Sequence, residues 1–279
     1  MTLPDETALG RVHLRIADLD RSFEFYRDLL GLIELRHEGN RVELGTRDRR
    51  PLLTLTAISG TQPRPRGMVG LYHYALLFPT RSELGRALLH LFEHHWPFEG
   101  FADHGVSEAA YLADPDGNGI ELYSDRPRED WPRQNGEIAM ATFALNVNSL
   151  IRTVDGEEWN GVAGATRVGH IHLHVSDLPR SEVFYRDVLG FEVTNRSYPG
   201  ALFLAAGGYH HHVGLNTWIR HDGVNPHVAG LLGYDLVVPD AGARNEILAR
   251  AHAHGARAEA IPEGVRLSDP DGNLLTITP

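Results

Sequence analysis

Three consecutive histidines, His210, His211 and His212, stand inside the segment GGYHHHVGLNTW at residues 207–218. An imidazole can ligate a divalent cation through either ring nitrogen, or carry a proton to and from a reacting group near neutral pH. It can also do no more than make one face of a strand polar. Histidines and carboxylates further punctuate GLYHYALLFPTR, DPDGNGIELYSDRP and GHIHLHVSDL. The chain has 17 histidines and no cysteine, so a metal held by protein side chains would sit on nitrogen and oxygen; thiolate chemistry and disulfides are excluded.

The totals narrow the partner. A formal charge of -11 and a pI near 5.8 argue against a nucleic acid or an anionic membrane, both of which call for a clustered basic face, and favour a small molecule. The opening MTLPDETALG lacks a basic stretch followed by an apolar one, and no apolar run approaches the roughly 20 residues of a membrane span, so a cytoplasmic protein is expected. At 279 residues the chain can build two domains.

The elements that must position these side chains come in repeats. GRVHLRIADLDRSFEFYRDLLGL at 10–32 and GHIHLHVSDLPRSEVFYRDVLGF at 169–191 are identical at 13 of 23 positions, and DPDGNGIELY at 114–123 is echoed by DPDGNLLTIT at 269–278. Each opening segment alternates apolar and polar residues, as a half-buried strand does, then turns helical: Asp18 or Asp20 can cap a helix bearing Phe23, Tyr26 and Leu30, with Gly31 at its end. Short strands follow near 41–45 and 51–57. A strand around 71–78 leads to a helix with Thr80 and Glu83 as a capping box, and two strands around the Asp116-Gly117 turn close the half. The chain therefore reads as four β-α-β-β-β modules beginning near 10, 71, 168 and 231. The halves are 1–125 and 168–279, with 126–167 as a linker.

The module order, the D-L-x-R-S-x-x-F-Y-R-D-x-L-G helix and the closing D-P-D-G-N-x-x-E resemble the vicinal oxygen chelate superfamily of glyoxalases, bleomycin-resistance proteins and extradiol dioxygenases. More closely, GLYHYALLFPTR, DPDGNGIELYSDRP, GHIHLHVSDL and GGYHHHVGLNTW are similar to its catechol 2,3-dioxygenase-like branch. The resemblance implies an α+β fold of two cupped mixed sheets with helices outside. It also implies metal ligands on the concave face, with a histidine on the first strand of a module, seven residues before the loop aspartate or its equivalent, and a glutamate on the last strand. Under that correspondence module 1 offers Arg11, which cannot ligate a cation; module 2 offers His73 and Glu121; module 3 offers His170; and module 4 offers only Gly233 and Thr276. The implied set, His73, Glu121 and His170, requires modules 2 and 3 to share a cup. The rival pairing of modules 1 and 2 would use His13 as the first ligand.

Two histidines and one carboxylate with open positions suit non-heme Fe(II) oxygen chemistry, and Mn(II) accepts the same set. The resemblance then implies a small aromatic substrate of catechol or hydroquinone type, dioxygen, and a proton-handling histidine from the 210–212 run. Strand alternation from Val213 and Leu215 places His210 and His212 on the cup face, whereas the extradiol pattern favours His211; both His211 and His212 stand as candidates, with a preference for His212. Tyr111, ten residues before Glu121, corresponds to a substrate-bonding tyrosine, and His104 could line the mouth of the cup. His172 and His174 could orient His170, while His94 and His95 suit a helix C-terminus. If His212 were a fourth ligand, a glyoxalase-type isomerase using Ni(II) or Zn(II) would be favoured. A binding protein of the resistance kind is the third reading, and exposed sheet edges leave a homo-oligomer open.

Overall fold

The computed structural model describes residues 2–65, 67–154, 156, 158–219, 225 and 227–279. Module 1 comprises β1 (Ala8–Ile16), α1 (Leu19–Glu24) running into a π-helical turn (Phe25–Leu29), β2 (Ile33–Glu38), β3 (Arg41–Gly45) and β4 (Pro51–Ala57). Module 2 comprises β5 (Gly70–Leu77), α2 (Arg81–Glu93), β6 (Phe98–Asp103), β7 (Ser107–Ala113) and β8 (Gly119–Asp125). Short strands β9 (Arg133–Gln134), β10 (Glu137–Ile138) and β11 (Phe143–Ala144) and helix α3 (Val147–Ile151) follow. Module 3 has β12 (Arg167–His174), α4 (Leu178–Glu182) with its own π-helical turn (Val183–Leu189), β13 (Glu192–Asn195), β14 (Ala201–Ala205) and β15 (Val213–Asn216). Module 4 has β16 (Gly230–Val237), α5 (Ala241–Ala253), β17 (Ala258–Ile261), β18 (Gly264–Ser268) and β19 (Leu274–Thr278).

Local chemistry explains the starts of the helices. The Asp18, Asp177 and Asp240 carboxylates and the Thr80 hydroxyl each accept a backbone N–H three residues on, satisfying a donor that the helix leaves orphaned. Of the two aspartates suggested for the first cap, Asp18 takes the role. Among the described residues, no helix is long and apolar enough to cross a membrane.

Two large mixed sheets result, ordered β17-β18-β19-β16-β1-β4-β3-β2 and β11-β6-β7-β8-β5-β12-β15-β14-β13. The first joins module 4 to module 1, the second module 2 to module 3, and the seams are the antiparallel pairs β1/β16 and β5/β12. The division at 1–125 and 168–279 thus describes the repeat, whereas each sheet takes one module from each half. Segment 126–167, read as a linker, also contributes β11 to the edge of the second sheet.

The repeated signatures are the two sides of one contact. Tyr26 donates its hydroxyl to Asp114 at 2.8 Å, and Tyr185 does the same to Asp269 at 3.0 Å, so the FYRD helix of one module is tied to the DPDGN turn of the next. Both tyrosines are fully buried, a placement that contributes about 1.5–3 kcal/mol each. Burial pushes Asp114 up to about 6, and the backbone N–H groups of Asp116 and Asn118 and the Asn118 amide also bond its carboxylate.

Candidate metal centre and active-site cavity

The centre of the nine-stranded sheet is β8-β5-β12. On β5, Tyr74 and Leu76 turn into the core, which leaves His73 and Ala75 on the opposite, concave face. Ala75 is paired in register with Glu121 on one side and His170 on the other. Its side chain is a methyl group, so three longer side chains can meet above it. Among the described residues, His73, Glu121 and His170 form the one group of three His, Asp or Glu side chains whose donor atoms all lie within 4.8 Å of one another.

Glu121 Oε2 lies 3.0 Å from His73 Nε2 and 3.0 Å from His170 Nε2. His73 Nε2 is nonetheless buried and lacks a hydrogen bond of acceptable geometry. A buried nitrogen without a partner, close to two other ligating atoms, is what a divalent cation would satisfy, and the donor set fits one. Burial works against charge on Glu121, yet the adjacent His170 and His73 hold its carboxyl well below the usual carboxylate range. Burial lowers His73, and lowers His172 well below the ordinary imidazole range, so both are available as neutral rings.

A cavity of about 250 Å³ opens beside these side chains and is lined by His73 and Glu121, walled by Tyr72, Phe203 and Trp218, and carries Tyr111, His104 and His211. Tyr111 is the cross-strand partner of Glu121. His104 Nδ1 donates to the Ala141 carbonyl at 2.7 Å, which leaves Nε2 to accept the Tyr111 hydroxyl at 2.6 Å. The linker segment therefore supplies a part of the site. Burial raises the Tyr111 phenol well above its ordinary value, with Glu121 adding to the effect, so it stays protonated.

The histidine run corrects the expectation from alternation. Regular pairing on β15 starts only at Val213, and Gly207 and Gly208, at φ of 59° and 63°, turn the chain through the left-handed region just before the run. His211 is the member that reaches the cavity, its ring 4.1 Å from that of His170 and 4.9 Å from that of Phe203. His212 instead accepts the Ala206 N–H on Nδ1 and packs beside Tyr209, and burial depresses it to about 3. It is not among the cavity side chains or in the group of three, whereas His211 is among the cavity side chains. His210 is fully buried and bonds Asp125, a partnership that sequence reasoning missed; Asp125 lies four residues beyond Glu121 on the same strand face, which was the available signal.

The remaining candidates fall elsewhere. His172 lines the cavity but accepts from Asn216 on Nε2, and His174 donates to the same Asn216, so neither orients His170 by a hydrogen bond. His94 accepts the helical C-cap position of α2. His13 lies in the other sheet, 3.5 Å from Asp235, which removes it as a first ligand. That second cup holds a larger cavity, about 410 Å³, but Arg11 stands at the position of His170 and bridges Glu43 and Asp235 at 2.6 and 2.9 Å. In that cup a guanidinium thus occupies the space between two carboxylates.

Known proteins resemble this chain in sequence and in fold. The sequence matches the Glyoxalase/Bleomycin resistance protein/Dioxygenase superfamily over residues 8–122 and 167–277. It is 41% identical over 275 residues to a catechol-2,3-dioxygenase of Bacillus subtilis (strain 168), covering 96% of each chain. A 2,2',3-trihydroxybiphenyl dioxygenase of Sphingomonas paucimobilis is 33% identical over 119 residues, 42% of this chain and 34% of that one. Glyoxalase I from Zea mays shares the fold at a TM-score of 0.61 with 16% identity, over 98% of this chain and 92% of its own. The chain belongs to the glyoxalase, bleomycin resistance protein and dioxygenase superfamily.

Proposed function

We propose that the protein is an Fe(II)-dependent extradiol dioxygenase that opens the ring of a catechol-like or hydroquinone-like aromatic with dioxygen. The observation that carries this reading is the convergence of His73, Glu121 and His170, two of which, His73 and Glu121, line a cavity that also presents His211 and Tyr111. The 41% identity to a catechol-2,3-dioxygenase over nearly the full length supports the same class. Fe(II) held by the three side chains would supply open coordination positions for a vicinal diol and dioxygen.

The remaining work belongs to the chain's own residues. Tyr72, Phe203 and Trp218 offer flat apolar surfaces against which an aromatic ring can pack, excluding water from the reacting edge. Burial holds His211 well below its ordinary value, and His170, His210 and other neighbouring imidazoles add to this, so it is neutral and can accept a proton from a substrate hydroxyl. Tyr111, donating to His104, keeps its oxygen lone pairs for a donor on the substrate. The isomerase reading depended on His212 as a fourth ligand; its position outside the cavity favours ring opening.

Anaerobic reconstitution with Fe(II), followed by catechol and then air, tests the assignment. Oxygen consumption and a yellow ring-fission product are expected. No oxygen uptake, together with turnover of a hemithioacetal in the presence of Ni(II) or Zn(II), would replace the dioxygenase by the isomerase.

A further inference from the structure

Behind His211 the cavity wall continues into a run of buried polar contacts. Asp125 Oδ1 lies 2.9 Å from His210 Nε2, and His210 Nδ1 lies 2.8 Å from His211 Nδ1. The second carboxylate oxygen accepts the Tyr209 hydroxyl at 2.9 Å, and the Tyr123 and Tyr209 hydroxyls are 2.8 Å apart. Every member of this run except Asp125 and the cavity-facing edge of His211 is sealed from water: His210 and Tyr123 are 0% exposed.

Donor and acceptor roles follow from the end of the chain. A carboxylate only accepts, so His210 Nε2 carries a proton. With that proton on Nε2 and a lone pair on His210 Nδ1, the 2.8 Å contact is one in which His211 donates its Nδ1–H. His211 Nε2, the nitrogen left for the cavity, is bare.

We propose that Asp125 is a positioning residue that acts through His210 to hold His211 as the Nδ1–H tautomer, with Nε2 ready to take a proton from a substrate hydroxyl. This rests on the dioxygenase reading for its substrate, though the tautomer itself does not. In the step, the substrate O–H bond breaks and an Nε2–H bond forms. The imidazolium so produced keeps its Nδ1–H bond to His210, with the Asp125 carboxylate one ring further on to offset the charge, and the same nitrogen later returns the proton.

The surroundings hold this alignment. Thr194 donates its hydroxyl to the His210 carbonyl at 2.6 Å, Arg128 donates to the Gly207 carbonyl at 3.0 Å, and the Trp131 ring packs edge-on against His210 at 5.1 Å. Asp125 comes from module 2 and the two histidines from module 3, so the relay crosses the same seam as the metal ligands.

The test is a long-range ¹H–¹⁵N correlation spectrum of ¹⁵N-histidine-labelled protein loaded with diamagnetic Zn(II), with His211 assigned by its loss in His211→Ala. A protonated Nδ1 and a bare Nε2 are expected in the native protein, and Asp125→Asn should move the pattern toward Nε2–H. In the Fe(II) form, Asp125→Asn should lower kcat roughly 10- to 100-fold with KM for catechol and iron content little changed, and Asp125→Glu should recover part of the loss. A native His211 already in the Nε2–H form, or an Asp125→Asn protein with tautomer and kcat both unchanged, would overturn the relay. If Asp125→Asn does not fold, the native spectrum decides alone. If the native Fe(II) protein opens no catechol, the dioxygenase reading falls while the spectrum still judges the relay.

Discussion

Glu121 and His170 are separated by 49 residues and belong to different halves of the repeat, yet Oε2 and Nε2 stand 3.0 Å apart over the methyl group of Ala75. The site is a property of the seam between modules 2 and 3. Neither half contains it alone.

Metal content follows directly. Replacing a supporting side chain beside a metal ligand costs about 10- to 100-fold in affinity, so removing a ligand, as in His170→Ala or Glu121→Gln, should cost more than about 100-fold. His13→Ala should leave one ion per chain. Elemental analysis after dialysis against Fe(II) under argon measures both, and full retention by His170→Ala would disprove the ligand set.

Ala75 gives an independent check because it touches no reagent. Ala75→Leu would fill the space in which the donors meet, at an overpacking cost of about 1–3 kcal/mol. We expect a folded protein with its metal lost, seen as a small fall in Tm alongside an empty metal assay. A leucine variant that binds metal as the native chain does would show that the donors converge elsewhere.

The two candidate histidines separate kinetically. Removing a general base typically costs 10²–10⁴ in rate, so His211→Asn should lower kcat by about that factor while iron remains bound. His212→Gln, whose ring faces Ala206 N and Tyr209, should affect Tm more than kcat. Steady-state oxygen electrode traces on both variants decide the order, and the reverse order would restore His212.

The second cup predicts a pH signature. Burial opposes charge on Asp235, but His13 and Arg11 together depress its pKa below the usual 3.8. A depressed folded pKa contributes stability that is present above the unfolded value and lost as pH falls through the folded one. Arg11→Met removes the guanidinium from that carboxylate and leaves it only His13, at a cost of about 1–3 kcal/mol near pH 7 for a pair that opens on the cavity. The gap between native and variant should narrow below about pH 4, where protonation relieves the variant. Urea melts at both pH values test it; a gap that widens on acidification would contradict the sign.

Much of this protein was legible in one dimension. Period-2 alternation in the opening strand of each half, the capping aspartates and the doubled FYRD and DPDGN signatures follow from short-range sterics and hydrogen bonding, which adjacent residues settle among themselves. The family resemblance implied His73, Glu121 and His170, and the fold brings their donor atoms within 4.8 Å of one another. What alternation could not supply was the aim of His210, His211 and His212: two left-handed glycines break the period, and the rings then settle by packing against Trp131, Phe203 and Asp125 from distant segments. The part that Ala141 plays in fixing Tyr111 through His104 was equally hidden. The sequence by itself determined the modules, their faces and the chemical kinds of donor. Only the tertiary structure decided which histidine meets the cavity and what stands behind it, because those choices are made by contacts across a seam that no local pattern records.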